Sequence, residues 1–210
     1  MTRYLITPSL HSSWRFYHLM ESKTKHDFLN TLNKAEQPPS EAMLAGRSFE
    51  NDVQRACNCT AASEKMLDNP AYARCVLEVA EYVRGGLWQE RVMKDVSISG
   101  MEFLLYGKAD VIKRKTIYDI KWTSNYDIGK FSDSVQNPLY LECSGLPEFT
   151  YLASDGRNVW KEDYYLERDT LANLRGELAT MIDNIMADAD FRAAYMAHWQ
   201  TYPDRHQNAA

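Results

Sequence analysis

Residues 101–122 read MEFLLYGKADVIKRKTIYDIKW, two apolar runs joined by the charged turn Lys113-Arg114-Lys115. Both runs are rich in β-branched and aromatic residues and are bounded by turn formers, which is the pattern of strands. A third run, Leu87 to Ile98, ends at Ser99-Gly100. The stretch therefore predicts an antiparallel meander of Leu87–Ile98, Met101–Ile112 and Thr116–Trp122. Charges intrude on the last two strands. Asp110 closes the apolar Gly107-Lys108-Ala109-Asp110-Val111-Ile112, and Asp119 and Lys121 lie two apart in Tyr118-Asp119-Ile120-Lys121, so strand alternation turns both to one face. Ions among Ile117, Ile120 and Trp122 lose several kcal/mol of hydration each unless a partner or a metal compensates. Two carboxylates on neighbouring strands suit a hard divalent cation such as Mg²⁺, with positions left for water and a substrate phosphate, and Lys121 would stand beside it. An isolated Asp-x-Lys is common on solvated strands. Its surroundings decide.

Working outward, helices precede the meander and follow it. Thr7-Pro8 reads as a cap and first-turn proline, with Leu10, Trp14 and Tyr17 at helical spacing. Polar residues dominate Glu21 to Ser40, a loose helix or loop, and a new helix starts near Glu41, supported by Met43, Leu44 and Val53. Pro70 to Arg84 carries Tyr72, Val76, Val79, Ala80 and Val83 on one side and stops at Gly85-Gly86. Beyond Trp122, Phe131 to Cys143 has helical spacing, Phe149–Ala153 and Val159–Leu166 resemble a hairpin around Asp155-Gly156, and Leu171 to Trp199 is helical. The order gives an α/β (α+β) fold, a central mixed β-sheet flanked by helices. One domain over residues 1–210 is expected: a helical segment 1–86, a sheet core 87–166 and C-terminal helices 167–200.

Composition sets outer limits. A chain of 210 residues with 45% hydrophobic and 12% aromatic residues can bury a sizeable core. A formal charge of −5 means that any contact with nucleic acid must use a local basic patch. Cys57, Cys59, Cys75 and Cys143 form no paired CxxC ligands. With neither a signal-type start nor an apolar run of membrane length, the chain reads as cytoplasmic and not membrane-bound.

Two further features join the strands. Glu50 sits in the helical Gly46-Arg47-Ser48-Phe49-Glu50, and Gln136 and Tyr140 are four apart, hence on one face of a helix. The series Gly46-x-x-x-Glu50, Gly107-x-x-Asp110, Asp119-x-Lys121, Gln136-x-x-x-Tyr140 resembles the motifs of RecB-like PD-(D/E)XK nucleases, including phage recombination exonucleases of the RecE and lambda types. Thr7-Pro8-Ser9-Leu10 with Trp14, Phe16 and Tyr17 is similar to the opening helix of that family, so the resemblance spans most of residues 7–166.

The resemblance implies a restriction-endonuclease-like αβββαβ core and a Mg²⁺- or Mn²⁺-dependent deoxyribonuclease, an exonuclease of phage-type recombination, repair or DNA processing. It implies Asp110 and Asp119 as ligands to one or two ions, the Ile120 carbonyl as a third, and Glu50 as the residue that recruits or orients a second ion. Lys121 would orient or activate the attacking water, and Gln136 with Tyr140 would support the site or contact DNA. Two departures stand out: Glu50 occupies a position where many relatives carry His, and Asp119 one where Glu is frequent. Some relatives hold an iron-sulfur cluster through a cysteine near the opening helix and three near the C-terminus. Here the opening helix has none and nothing follows Cys143, so no cluster is expected. The DNA path, for linear duplex or single strand, is assigned to Arg15, Arg47, Lys108 and Lys130, with Lys23 and Lys25 near its mouth. A homo-oligomer or a recombination partner protein is compatible with this reading. Two other classes stay open: a catalytically silent DNA-binding protein on the same fold, and a protein-interaction module that engages basic partners.

Overall fold

The computed structural model describes residues 2–201. The elements run β1 (Arg3–Ile6), α1 (Pro8–His18), α2 (Lys25–Leu32), α3 (Glu41–Cys57), α4 (Glu64–Asp68), α5 (Pro70–Val83), β2 (Leu87–Ile98), β3 (Met101–Lys113) and β4 (Thr116–Trp122). They continue with α6 (Gln136–Ser144), β5 (Glu148–Ser154), β6 (Val159–Tyr165), α7 (Arg168–Ala187), α8 (Ala189–His198) and β7 (Gln200–Thr201). The seven strands make one mixed sheet flanked by helices, and the stretch from α5 through β5 has the order αβββαβ. β2, β3 and β4 form the antiparallel meander, α6 crosses over to place β5 parallel to β4, and β6 closes a hairpin on β5.

Helix starts follow their caps. The Thr7 hydroxyl accepts from the Leu10 amide ahead of Pro8 in the first turn, and Ser40 accepts from Met43 at the head of α3. α2 is a full helix where a loose segment is expected, because Thr24 and Asp27 form a reciprocal capping box and Phe28 and Leu32 bury completely. The helical pattern expected from Leu171 to Trp199 breaks at Asp188, whose carboxylate accepts from Asp190 and Phe191 to start α8. Met43 and Leu44 are 53% and 52% exposed, whereas Phe49 and Val53 are buried. α3 thus docks by its C-terminal half.

β3 positions the site. β2 fills one of its edges from Met101 to Ile112, so β1 and β4 must share the other. β1 runs parallel to it at Phe103–Leu105 and β4 antiparallel at Val111–Lys113. Between them that edge of β3, residues 106–110, has no strand neighbour, and the C-terminal ends of both β1 and β4 point towards it. One face of the sheet carries a core with α1, α2, α6, α7 and α8; the other packs on α3 and α5.

His11 of α1 is fully buried in the larger core. Burial first, and the nearby Arg15 charge second, lower its pKa to about 4. Its Nε2 lies 3.1 Å from a Glu177 carboxylate that is 44% exposed, so at neutral pH this is a contact with a neutral ring. A histidine held neutral by folding stabilises fully above its unfolded pKa of 6.5, and that stability is lost as pH falls towards about 4. Stability should drop by about 2 kcal/mol between pH 7 and 5 from this residue. Denaturant titration at the two pH values checks it, and His11→Phe should flatten the dependence.

Candidate active site

Asp110 stands where β4 peels away from β3. Its carboxylate replaces a ladder bond: the Ile120 amide donates to Asp110 Oδ2 at 2.9 Å. Alternation along β4 brings Asp119 and Lys121 together as expected, with Lys121 Nζ 2.7 Å from Asp119 Oδ2. Asp119 is only 1% exposed. Gln136, in the first turn of α6, ties the pair: its Nε2 donates to Asp119 Oδ1 and its Oε1 accepts from Lys121 Nζ at 3.1 Å. One turn on, the Tyr140 hydroxyl donates to the Lys108 carbonyl at 3.0 Å and accepts from the Lys108 amide at 3.3 Å. Those are backbone groups on the uncovered stretch of β3, so a side chain does there what a strand would otherwise do.

This clamp explains Gly107. A Cβ at that position would lie 2.0 Å from Tyr140 Cε1. The ring itself is buried, so it has little room to withdraw. Gly107→Ala should therefore destabilise by about 1–3 kcal/mol or more, as overpacking of a close contact does. Chemical denaturation is the check, and parent-like stability would mean that Tyr140 can leave β3 freely.

Glu50 reaches the same region from α3 on the opposite layer. Its carboxyl pKa is raised by burial and then by the Asp119 charge, against the pull of Lys108, Lys121 and Arg47. Asp110 is raised well above the ordinary carboxylate range by burial, by Asp119 and by Glu50. For Lys121 burial works against the ammonium, but the charges of Asp119, Asp110 and Glu50 outweigh it and hold the pKa above the usual lysine value. Lys121 is therefore a cation at neutral pH, suited to orienting a water or an anionic oxygen and not to taking a proton.

Three carboxylates meet at the Lys121 ammonium, with Lys108 and Arg47 acting on Glu50 as well. Asp119 Oδ2 is buried, and among the described residues its polar contact is the Lys121 ammonium at 2.7 Å. Such a set fits a divalent cation held by one or two carboxylates, a carbonyl and water. Among the described residues no three His, Cys, Asp or Glu side chains close into a ready-made metal cage. An open site of the Mg²⁺ type needs none.

Of the basic residues, Arg47 and Lys108 are exposed and near enough to Glu50 to act on its charge. Lys130 braces its own loop through Thr123 Oγ1 and the Asn125 carbonyl, Arg15 holds the Asp133 carbonyl, and Lys23 donates to Ser13. Lys25 pairs with Asp188 and Asp190 at the start of α8 and stays half exposed. Beside the clamp opens a cavity of about 380 Å³ lined by Thr7, Ser9, Ser12, Lys108, Gln136 and Tyr140. Ser12 and Tyr106, also on its wall, went unread because a lone residue of either kind carries no pattern by itself. A further site residue, Gln89, is also absent from the sequence reading; its amide donates to Glu50 Oε1.

No family model and no curated protein matches the chain. Solved structures do. The alkaline exonuclease LHK-Exo from Laribacter hongkongensis aligns over 91% of this chain and 93% of its own at 13% identity, with a TM-score of 0.50. LHK-Exo in complex with dAMP aligns over the same shares at 12% identity, with a TM-score of 0.52. At such identity the likeness is one of fold.

Proposed function

We propose that this chain is a Mg²⁺- or Mn²⁺-dependent deoxyribonuclease that hydrolyses phosphodiester bonds from a DNA end, in recombination, repair or DNA processing of the phage type. One observation carries the reading: Glu50, Asp110 and Asp119, from three separate elements, converge on the Lys121 ammonium, 2.7 Å from Asp119, where β3 is left uncovered. A fold shared with an exonuclease described with dAMP supports it. Asp110, Asp119 and the Ile120 carbonyl would hold the ion, with Glu50 the candidate for a second. A bound divalent ion supplies a more acidic water and a polarised phosphoryl oxygen. The chain's own residues do the rest. Lys121 positions the attacking water and offsets negative charge growing on the phosphate; Gln136 sets the distance between Asp119 and Lys121; Tyr140 fixes the strand that carries Asp110.

Arg47 and Lys108 flank the carboxylates and would take backbone phosphates, with Arg15 and Lys130 further out. Affinity for DNA should then fall with salt, log K declining by roughly 0.7–0.9 per log unit of salt for each phosphate neutralised. A flat salt titration by fluorescence anisotropy would remove this set. The nuclease reading itself is tested by a time course on end-labelled linear duplex, covalently closed circle and single strand with each metal. Cutting of the linear forms with the closed circle spared is the expected result; blank lanes with both metals would end it.

A further inference from the structure

Gln89, the third residue of β2, has a backbone φ of +57°, a left-handed conformation that a side chain with a Cβ adopts only at a cost. It sits directly across from Asp110: Trp88 pairs with Val111 and Glu90 with Ala109, and the pairing skips the two residues between. Both strands change face at this point. Val92 and Ile98 of β2 and Phe103, Leu105 and Ala109 of β3 belong to the core with α1, α6 and α7. Past the break, Trp88 and Val111 belong to the core with α3 and α5. The alternation of a flat hairpin would have kept Ala109 and Val111 on one side. Strained residues of this kind persist where the surroundings hold them, and they cluster at functional sites.

The side chain of Gln89 shows what the break achieves. Its Nε2 donates to Glu50 Oε1, and among the described residues this is the hydrogen bond that the Glu50 carboxylate has. The other side chains acting on Glu50, Asp119, Lys108, Lys121 and Arg47, do so through charge and fix no direction. We infer that Gln89 is a positioning residue of the catalytic centre: its left-handed backbone turns the hairpin at Asp110, and its amide holds the Glu50 carboxylate in orientation to take up a cation beside Asp110 and Asp119. This rests on the metal-dependent reading above and names a residue that reading did not include.

Gln89→Gly keeps the left-handed backbone and removes the amide; Gln89→Asn keeps both the conformational tolerance and the amide but shortens its reach by one methylene. Loss of a group that orients a ligand typically weakens metal binding about 10–100-fold. Calorimetric titration with Mn²⁺ should show a loss of at least about tenfold for both variants. Their metal-free melting temperature should match or exceed the parent's, because glycine and asparagine sit in this conformation more easily. In a Glu50→Ala background the Gln89→Gly change should add nothing, since the group it orients is gone. Parent-like Mn²⁺ affinity in Gln89→Gly would overturn the assignment, and so would an undiminished further loss in the Glu50→Ala background. If the parent chain binds no Mn²⁺ at all, the metal reading falls and this inference with it. Binding by the parent together with an unaffected Gln89→Gly overturns this inference alone.

Discussion

Lys121→Ala is expected to lower cleavage by about 10²–10⁴-fold, the range over which a positioned proton donor or electrostatic stabiliser contributes. The structure sets the reason. Lys121 is the ammonium in contact with Asp119, and the same nitrogen is fixed by Gln136 Oε1 at 3.1 Å. It is held at two points, so it needs no reorganisation to meet a developing oxyanion. Because the surrounding carboxylates raise its pKa, it works as a cation throughout, and the variant should lose activity across the neutral range without a displaced pH optimum. Asp110 and Asp119 remain in Lys121→Ala, and with the ammonium gone their demand for positive charge increases. Mn²⁺ affinity measured by calorimetry should therefore stay level or rise while single-turnover cleavage of duplex DNA collapses. A variant that cuts at the parent rate would show Lys121 to be only the partner of Asp119. A variant that loses Mn²⁺ binding together with cleavage would show that the lysine organises the carboxylates and does not act on substrate.

How far the chain could be read from its residues differs by element. The meander was legible because each of its strands is long, and Asp119 with Lys121 was legible because a two-residue repeat has one structural meaning in a strand. β1 was missed: it has four residues, too few for a period to show, and its pairing with β3 is a long-range event. Met43 and Leu44 lie on α3 as their spacing indicates, yet both stay exposed, because apolar spacing cannot tell which half of a helix will dock. Lys25 was placed near the cleft on charge alone, and only the fold reveals its pairing with the start of α8. Gln89 is the plainest case. Nothing in Leu87-Trp88-Gln89-Glu90 signals a left-handed residue, since the conformation goes with the change of face across β2 and β3 and not with a local preference. Gln136 and Tyr140 could be paired from their spacing, but their tasks could not. One bridges Asp119 and Lys121, and the other clamps the backbone of Lys108.

Asp119→Asn should remove activity while leaving the metal-free fold nearly intact. Two effects oppose each other there. Breaking a buried ion pair by deleting one charge costs about 3–5 kcal/mol when the other charge is left alone. Lys121 is not left alone: its side chain is 32% exposed, Asp110 and Glu50 still act on it, and Gln136 Oε1 still accepts from it. On the other side, Asp119 is among the causes that raise both Asp110 and Glu50, so neutralising it relieves repulsion in the empty site. The amide oxygen can also keep the bond from Gln136 Nε2. The balance is expected to be small, with a metal-free melting temperature within about 3 °C of the parent, since about 1 kcal/mol moves a domain of this size by 2–4 °C. Metal linkage then separates the two proteins. At an ion concentration 100 times its dissociation constant the parent gains about 2.7 kcal/mol, whereas a variant with 100-fold weaker affinity gains about 0.4 kcal/mol. Added Mn²⁺ should thus raise the parent melt by roughly 5–10 °C and leave Asp119→Asn almost unmoved. Thermal melts of both proteins with and without Mn²⁺, run beside a cleavage assay, decide it. If Asp119→Asn unfolds about 8 °C or more below the parent without metal, the carboxylate is chiefly the structural counter-charge of Lys121, and β4 carries a buried ion pair in place of a metal ligand.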